Sequence, residues 1–325
     1  MRYDDKDRES SNVEDRRGQG GGGFQFPGGR GGIRIPVGGG GFSLTTLLII
    51  GALMLFMGIN PLDVLLGGGG GGSINMPDLP RSERPVTQRN PTEIPGLPGS
   101  RSGQQTGTAS NEDQMKVFIS RVLADTEDVW KSVFRGFGQN YTEPPLVLFS
   151  GMTRTACGAG QAQMGPFYCP LDQKVYIDLS FYEEMQRKFN VSGDFAQAYV
   201  VAHEVGHHVQ TLLGIAEKVQ ELKSRSDETT ANQIQVRMEL QADCLAGVWA
   251  NLNDQVKNRL QPGDVEEALN AATQIGDDMI QRKMTGRVMP DAFTHGTAAQ
   301  RVRWFSAGLK SGQMEDCDTF NTSNP

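Results

Sequence analysis

The sequence predicts an α+β domain, mostly helical with a small sheet, preceded by one membrane-spanning helix. Three observations carry that expectation: a break in composition near residue 111, short apolar strands between residues 146 and 179, and helical periodicity from Asp194 onward. Strands followed by a run of helices, rather than strict alternation, give α+β. Of the 41 glycines, 25 fall in residues 1–111 and 16 in the remaining 214. The chain therefore divides into a glycine-rich front third and a back two-thirds long enough to bury one sizeable core. The formal net charge is −7, yet residues 1–42 carry seven Arg and Lys against six Asp and Glu, and residues 43–111 carry four against four. The negative charge thus sits in the back two-thirds, which argues against nucleic acid as a main partner, because phosphate binding needs a basic surface. A collagen-like chain is excluded by the lack of a Gly-X-Y period.

Residues 1–42 open with MRYDDKDRESSNVEDRR and pass into glycine repeats with no helical or strand period. Their apolar content is too low to offset the entropy of ordering so many glycines, which predicts a disordered tail. A phosphate-cradling glycine loop would need a strand before it and a helix after it, and neither is present. Ser43–Ile59 is 17 residues without a charge, and Val64, Leu65 and Leu66 extend the apolar stretch to residue 66. That is the short end of the helical spanning range of ~17–25 residues. A buried core helix is a poor alternative, because glycine-rich flanks leave it no core to join. A cleaved signal would carry a leading region of over 40 residues and has no small-residue cleavage site after it. An uncleaved anchor over residues 43–66 is therefore expected. Arg30 and Arg34 lie just before it, and the first basic residue after it is Arg81. Basic residues mark the cytoplasmic side, so the expected topology is single-pass in the cytoplasmic (inner) membrane, with the tail inside and the domain periplasmic or extracellular. Residues 67–111, rich in Gly, Pro, Ser and Arg, read as a flexible linker.

Cys157, Cys169, Cys244 and Cys317 all fall in the part expected outside. An even count there favours two disulfides, and the nearest pairing in sequence is Cys157–Cys169 with Cys244–Cys317, one of three possible connectivities. A cysteine zinc site is the weaker alternative, since no C-x-x-C pair occurs.

Within the domain, Met115, Phe118, Ile119, Val122, Leu123, Val129, Trp130 and Phe134 recur at helical spacing over 112–135. Pro144-Pro145 leads into the strand Leu146–Phe149, and two more strands are expected at Tyr168 and over Lys174–Leu179. Helices are expected over 194–213, 216–223, 228–252, 264–282 and 297–309, punctuated by Gly214, Pro262-Gly263 and Gly286–Pro290.

The helix over 194–213 contains His203-Glu204-Val205-Gly206-His207, an H-E-x-x-H. Residues four apart lie about 40° apart around a helix, so both imidazoles can meet one metal ion. Glu204, about 100° on, can reach a water at that ion and take its proton. The bland alternative is two histidines on an exposed helix face. The apolar run FAQAYVVA before the motif argues for burial instead, and a buried His-Glu-His set needs a partner such as Zn2+. His208 lies about 140° from His203 and cannot share the metal, which leaves it a polar supporting role. A third ligand is required. Glu239 and Asp243 are four apart on the next long helix, with Glu239 placed to ligate and Asp243 to accept the second N–H of a ligating histidine. A solvated helix face is the alternative for that pair. His295 enters a late helix that carries Arg301. Imidazole and guanidinium can both steady an oxyanion, against the alternative of a helix-cap histidine and a surface arginine.

These motifs, with LLIIGALMLFMGINPLDVL, ACGAGQAQMGPFYCPLDQKVYIDLSFY, RMELQADCLAGVWA and FTHGTAAQRVRWFSAGL, make the chain resemble the bacterial neutral zinc metallopeptidases, membrane proteins with one amino-terminal span. The resemblance covers the anchor and nearly all of the domain. It implies a zincin-like fold, zinc, and peptidase activity on a peptide or unfolded protein. The order H-E-x-x-H, E-x-x-x-D and T-H-G-x-x-x-x-R is also similar to gluzincin-type membrane proteases related to the CAAX prenyl endopeptidase. That similarity implies His203, His207 and Glu239 as ligands, Glu204 as general base, Asp243 behind a ligand, and His295 and Arg301 steadying the transition state. Gly296 departs from it by standing where those proteases usually have proline. By the same analogy, the strand Val175–Leu179 is the edge that binds an extended peptide. A non-hydrolysing zinc module that binds partner proteins at the membrane is the rival reading, and Glu204 speaks against it.

Overall fold

The structure, a computed structural model, describes residues 1–18, 111–323 and 325. The expected anchor over 43–66, the linker up to residue 110 and the glycine-rich part of the tail lie outside the described residues. Among the described residues, no helix is long and apolar enough to cross a membrane.

Strand β1 (Val13–Asp15) comes first, followed in chain order by helix α1 (Asn111–Gly136), β2 (Leu146–Phe149), a hairpin of β3 (Met152–Thr155) and β4 (Gly158–Gln161), β5 (Phe167–Cys169) and β6 (Lys174–Asp178). Helices α2 (Ser180–Phe189), α3 (Asp194–Leu212), α4 (Ile215–Ser224), α5 (Glu228–Lys257), α6 (Asp264–Gln274), α7 (Asp277–Thr285) and α8 (Ala298–Ser311) complete the chain. The α+β expectation therefore holds for the described residues. The main sheet has the order β1-β2-β6-β5, with β1, β2 and β6 parallel and β5 antiparallel to β6. Leu146, Val147 and Leu148 are fully buried, as a central strand covered on both faces should be. Ile119, Leu123 and Trp130 of α1, Phe195 and Tyr199 of α3, Trp249 of α5 and Phe305 of α8 form the core.

Two expectations need correction. The beginning of the tail is not disordered: Val13, Glu14 and Asp15 pair with Leu146, Val147 and Leu148 as the fourth strand of the sheet. Its apolar content is indeed low, but charge docks it. Arg8 pairs with Glu127 at 2.7 Å, Asp7 with Arg259 at 2.7 Å, and Lys116 with Asp15 at 3.0 Å. Apolar content alone does not register such complementarity. The strand Val175–Leu179 is not an edge either. β6 is paired on both sides, parallel to β2 and antiparallel to β5, so the end strands among the described residues are β1 and β5.

Both disulfides follow the nearest pairing, Cys157–Cys169 with Cα atoms 5.8 Å apart and Cys244–Cys317 at 5.5 Å. The expected helix 264–282 is two helices, α6 and α7, which part at Ile275-Gly276. A Cβ on Gly276 would stand 2.4 Å from the Ala298 nitrogen, so the chain passes here directly against the start of α8. α2 has no counterpart in the sequence reading, although Phe181, Tyr182, Met185 and Phe189 recur at helical spacing, and Asn190 closes the helix in the left-handed region.

Candidate metal centre

α3 and α5 run close together where the motif residues lie. A Cβ on Gly206 would stand 3.1 Å from the Ala242 carbonyl oxygen, so glycine at that position of H-E-x-x-H lets the helices approach. Three residues before Gly206 and one after it, His203 and His207 on α3 face Glu239 on α5. The Glu239 Oε2 atom lies 3.2 Å from His203 Nε2 and 3.3 Å from His207 Nε2. All three side chains are buried, and their ligand atoms lie within 4.8 Å of one another. The His203 and His207 rings are 4.8 Å apart at 86°.

Each imidazole is fixed from behind. His203 Nδ1 donates to Asp243 Oδ1 at 2.9 Å, and His207 Nδ1 donates to Gln210 Oε1 at 2.8 Å. With each Nδ1 engaged by an acceptor, the neutral form of each ring keeps its Nε2 lone pair toward the shared point. Asp243 is fully buried and held in turn by Tyr199, whose hydroxyl donates to it, and by Arg301, whose Nε and Nη2 donate to its two oxygens at 2.9 Å each. Gln210 donates to the Met238 carbonyl and to Gln241 Oε1. Gln210 and Tyr199 escaped the sequence reading. Their signal is spacing on the motif's own helix, three residues after His207 and four before His203.

The donor set fits zinc: two imidazole nitrogens and one carboxylate oxygen converge, in the His2Glu pattern that leaves a further position open. The charge balance agrees. Burial works against the ionised forms, yet His207 and His203 hold Glu239 far below the usual carboxylate range. Asp243 is likewise pulled to about 2 against burial, by Arg301 and His203. Two buried carboxylates therefore face one permanent cation, Arg301, and the rest of the positive charge must come from protons on the histidines or from a metal ion.

Glu204 is buried, one residue along from His203, and among the described residues no side chain hydrogen-bonds its carboxylate. His208 faces away from the cluster. Its Nε2 donates to the Thr142 carbonyl at 2.6 Å, its Nδ1 lies 3.0 Å from the Tyr168 hydroxyl, and burial pushes its pKa down. It is a neutral tether from α3 to β5.

His295 and Arg301 part company. His295 is half exposed on the loop before α8, where the Asp277 carboxylate gathers the backbone N–H groups of Thr294, His295 and Gly296. Desolvation opposes its protonation, but Asp277 beside it and the charge of Glu239 raise its pKa. Gly296 sits at φ +91°, out of reach of proline with its φ near −65°, so this loop cannot take the form a proline there would impose. Arg301 is only 3% exposed, with its arms engaged by Asp243, Tyr199 and the Ile275 carbonyl. It is not aimed at the open side, so the expectation that it steadies a transition state gives way to a role behind Asp243.

The sequence profile of one protein family, described as "Putative neutral zinc metallopeptidase", matches residues 1–320. The chain belongs to that family. It is 45% identical to YpfJ of Escherichia coli K12 over 322 residues, which cover 97% of this chain and 98% of that protein. It is 43% identical to Rv2575 of Mycobacterium tuberculosis H37Rv over 217 residues, 63% of this chain and 71% of that protein. No solved structure matches the chain.

Proposed function

We propose that this family member is a zinc-dependent endopeptidase that hydrolyses peptide bonds with Glu204 as general base. One observation carries the reading: His203, His207 and Glu239 converge on one buried point, with a carboxylate that no side chain among the described residues hydrogen-bonds one residue along the same helix. Zinc at that point supplies Lewis acidity, lowering the pKa of water toward ~7 and polarising a carbonyl. Glu204 accepts the proton of the attacking water and hands it to the leaving amine. In this reading His295, on its exposed loop, donates to the developing oxyanion. Tyr199, Asp243 and Arg301 keep His203 in one tautomer, and Gln210 does the same for His207. β5, the end strand beside α3, can pair with an extended peptide or a segment of unfolded protein.

The test is cleavage of an unfolded protein by the zinc-loaded full chain beside its Glu204→Gln variant. The full chain is used because residues 13–15 belong to the sheet. Loss of general-base catalysis should lower the rate by roughly 10²-fold or more while zinc stoichiometry stays the same. Zinc bound with no cleavage by either protein would replace this reading with that of a protein-binding zinc module.

A further inference from the structure

We propose that residues 1–17 and the metallopeptidase domain lie on one and the same, non-cytoplasmic side of the membrane. The tail is part of the domain's fabric. Strand β1 pairs residue by residue with β2, and the ladder is extended at both ends, where the Leu146 N–H donates to Asn12 and the Arg16 N–H donates to Leu148, each at 2.8 Å. The Arg2 N–H donates to the Arg259 carbonyl, also at 2.8 Å.

The domain side is built to receive it. Glu127 on α1 is 1% exposed, and the hydrogen bonds to its carboxylate among the described residues come from Arg8, Ser10 and Asn12. Asp125, two residues earlier, takes the Tyr3 hydroxyl, and Arg259 reaches across to both Asp7 and Asp125. Without the tail, Glu127 would lose these partners and the sheet would present a buried-type strand, Leu146–Phe149, as a bare edge.

A single crossing by residues 43–66 would put about 30 Å of hydrocarbon between the tail and this surface. A neighbouring copy could not substitute, since every tail would then lie on the wrong side. The two disulfides place the shared side in an oxidising compartment.

The experiment uses the full chain in spheroplasts and a membrane-impermeant maleimide. All four native cysteines are paired. Asp5→Cys in the tail and Glu221→Cys in the domain each add one thiol at an exposed position. Both are expected to label before lysis. Label at Glu221→Cys before lysis with label at Asp5→Cys only after it would restore the single crossing and overturn the proposal. Label at both only after lysis would overturn the assignment to the outer side. A Ser10→Cys/Ser120→Cys pair, at buried positions that exchange hydrogen bonds of 3.1 and 3.2 Å, is expected to close as a third disulfide within one chain, read as a gel shift lost on reduction. No cross-link there would overturn the docking itself.

Discussion

At the scale of single residues, the centre depends on what stands behind each ligand. His207 is oriented by Gln210 and His203 by Asp243, which Arg301 and Tyr199 hold in place. Gln210→Ala should therefore weaken zinc binding about 10- to 100-fold without touching a ligand, as measured by competition with a chelator. An unchanged affinity would show that packing alone orients His207. Protons compete for the same cluster. In the metal-free chain, burial opposes a charge on His203, but Asp243 and Glu239 outweigh it and push its pKa up to about 10. A raised pKa means that protonation stabilises the fold. That contribution is whole below the unfolded value of ~6.5 and is lost as pH rises through about 10. The Tm of the metal-free chain should fall across this window. The zinc-loaded chain should hold its Tm, because the ion replaces the proton. Parallel Tm curves with and without zinc would refute the coupling. His203, Glu204, His207, Glu239 and Asp243 were legible in the sequence because helical spacing decides which residues share a face. Arg301 was legible as a polar residue near the site but not in its direction, since which way a guanidinium points depends on what α8 packs against.

At the scale of elements, two interlocked helices set the depth of the centre. A Cβ on Gly308 of α8 would stand 1.9 Å from the Cys244 carbonyl of α5, and one on Gly247 of α5 would stand 2.2 Å from the Phe305 carbonyl of α8. This mutual approach is what brings Arg301 to Asp243. Gly308→Ala should cost about 1–3 kcal/mol in urea unfolding, since backbone on both sides must move. Gly136→Ala, with nothing within 4 Å of its Cβ, should change stability far less. Equal effects would mean that helix propensity, rather than the α5–α8 contact, governs both. The long periodic helices α1, α3 and α5 could be read from sequence with small errors at their ends. The break between α6 and α7 could not, because Gly276 answers to Ala298, which is distant in sequence. The neighbours of β6 were equally hidden, since one of its sheet mates pairs onward with a charged segment more than 130 residues away.

Across the whole molecule, a line of hydrogen bonds runs from a disulfide to His207 of the candidate centre. The Cys317 carbonyl accepts from Gln241 Nε2 at 3.0 Å, Gln241 Oε1 accepts from Gln210 Nε2 at 3.0 Å, and Gln210 Oε1 accepts from His207 Nδ1 at 2.8 Å. Cys317 is held at that spot by Cys244, 73 residues earlier. Chain-entropy reasoning gives a cross-link of that span about 4 kcal/mol of stability, and the 12-residue span of Cys157–Cys169 about 3 kcal/mol. The two should nonetheless differ in what they do to the centre. Cys244→Ala/Cys317→Ala frees the turn that positions Gln241, so His207 loses its fixed partner and zinc affinity should fall about 10-fold or more along with stability. Cys157→Ala/Cys169→Ala loosens the hairpin next to β5, which reaches α3 through Tyr168 and His208, and His208 holds no metal. Its zinc affinity should stay near that of the parent despite the lower stability. Measuring chelator competition and urea unfolding on both double variants separates the cases. If zinc affinity falls equally in both, it tracks global stability rather than the line from Cys317 to His207.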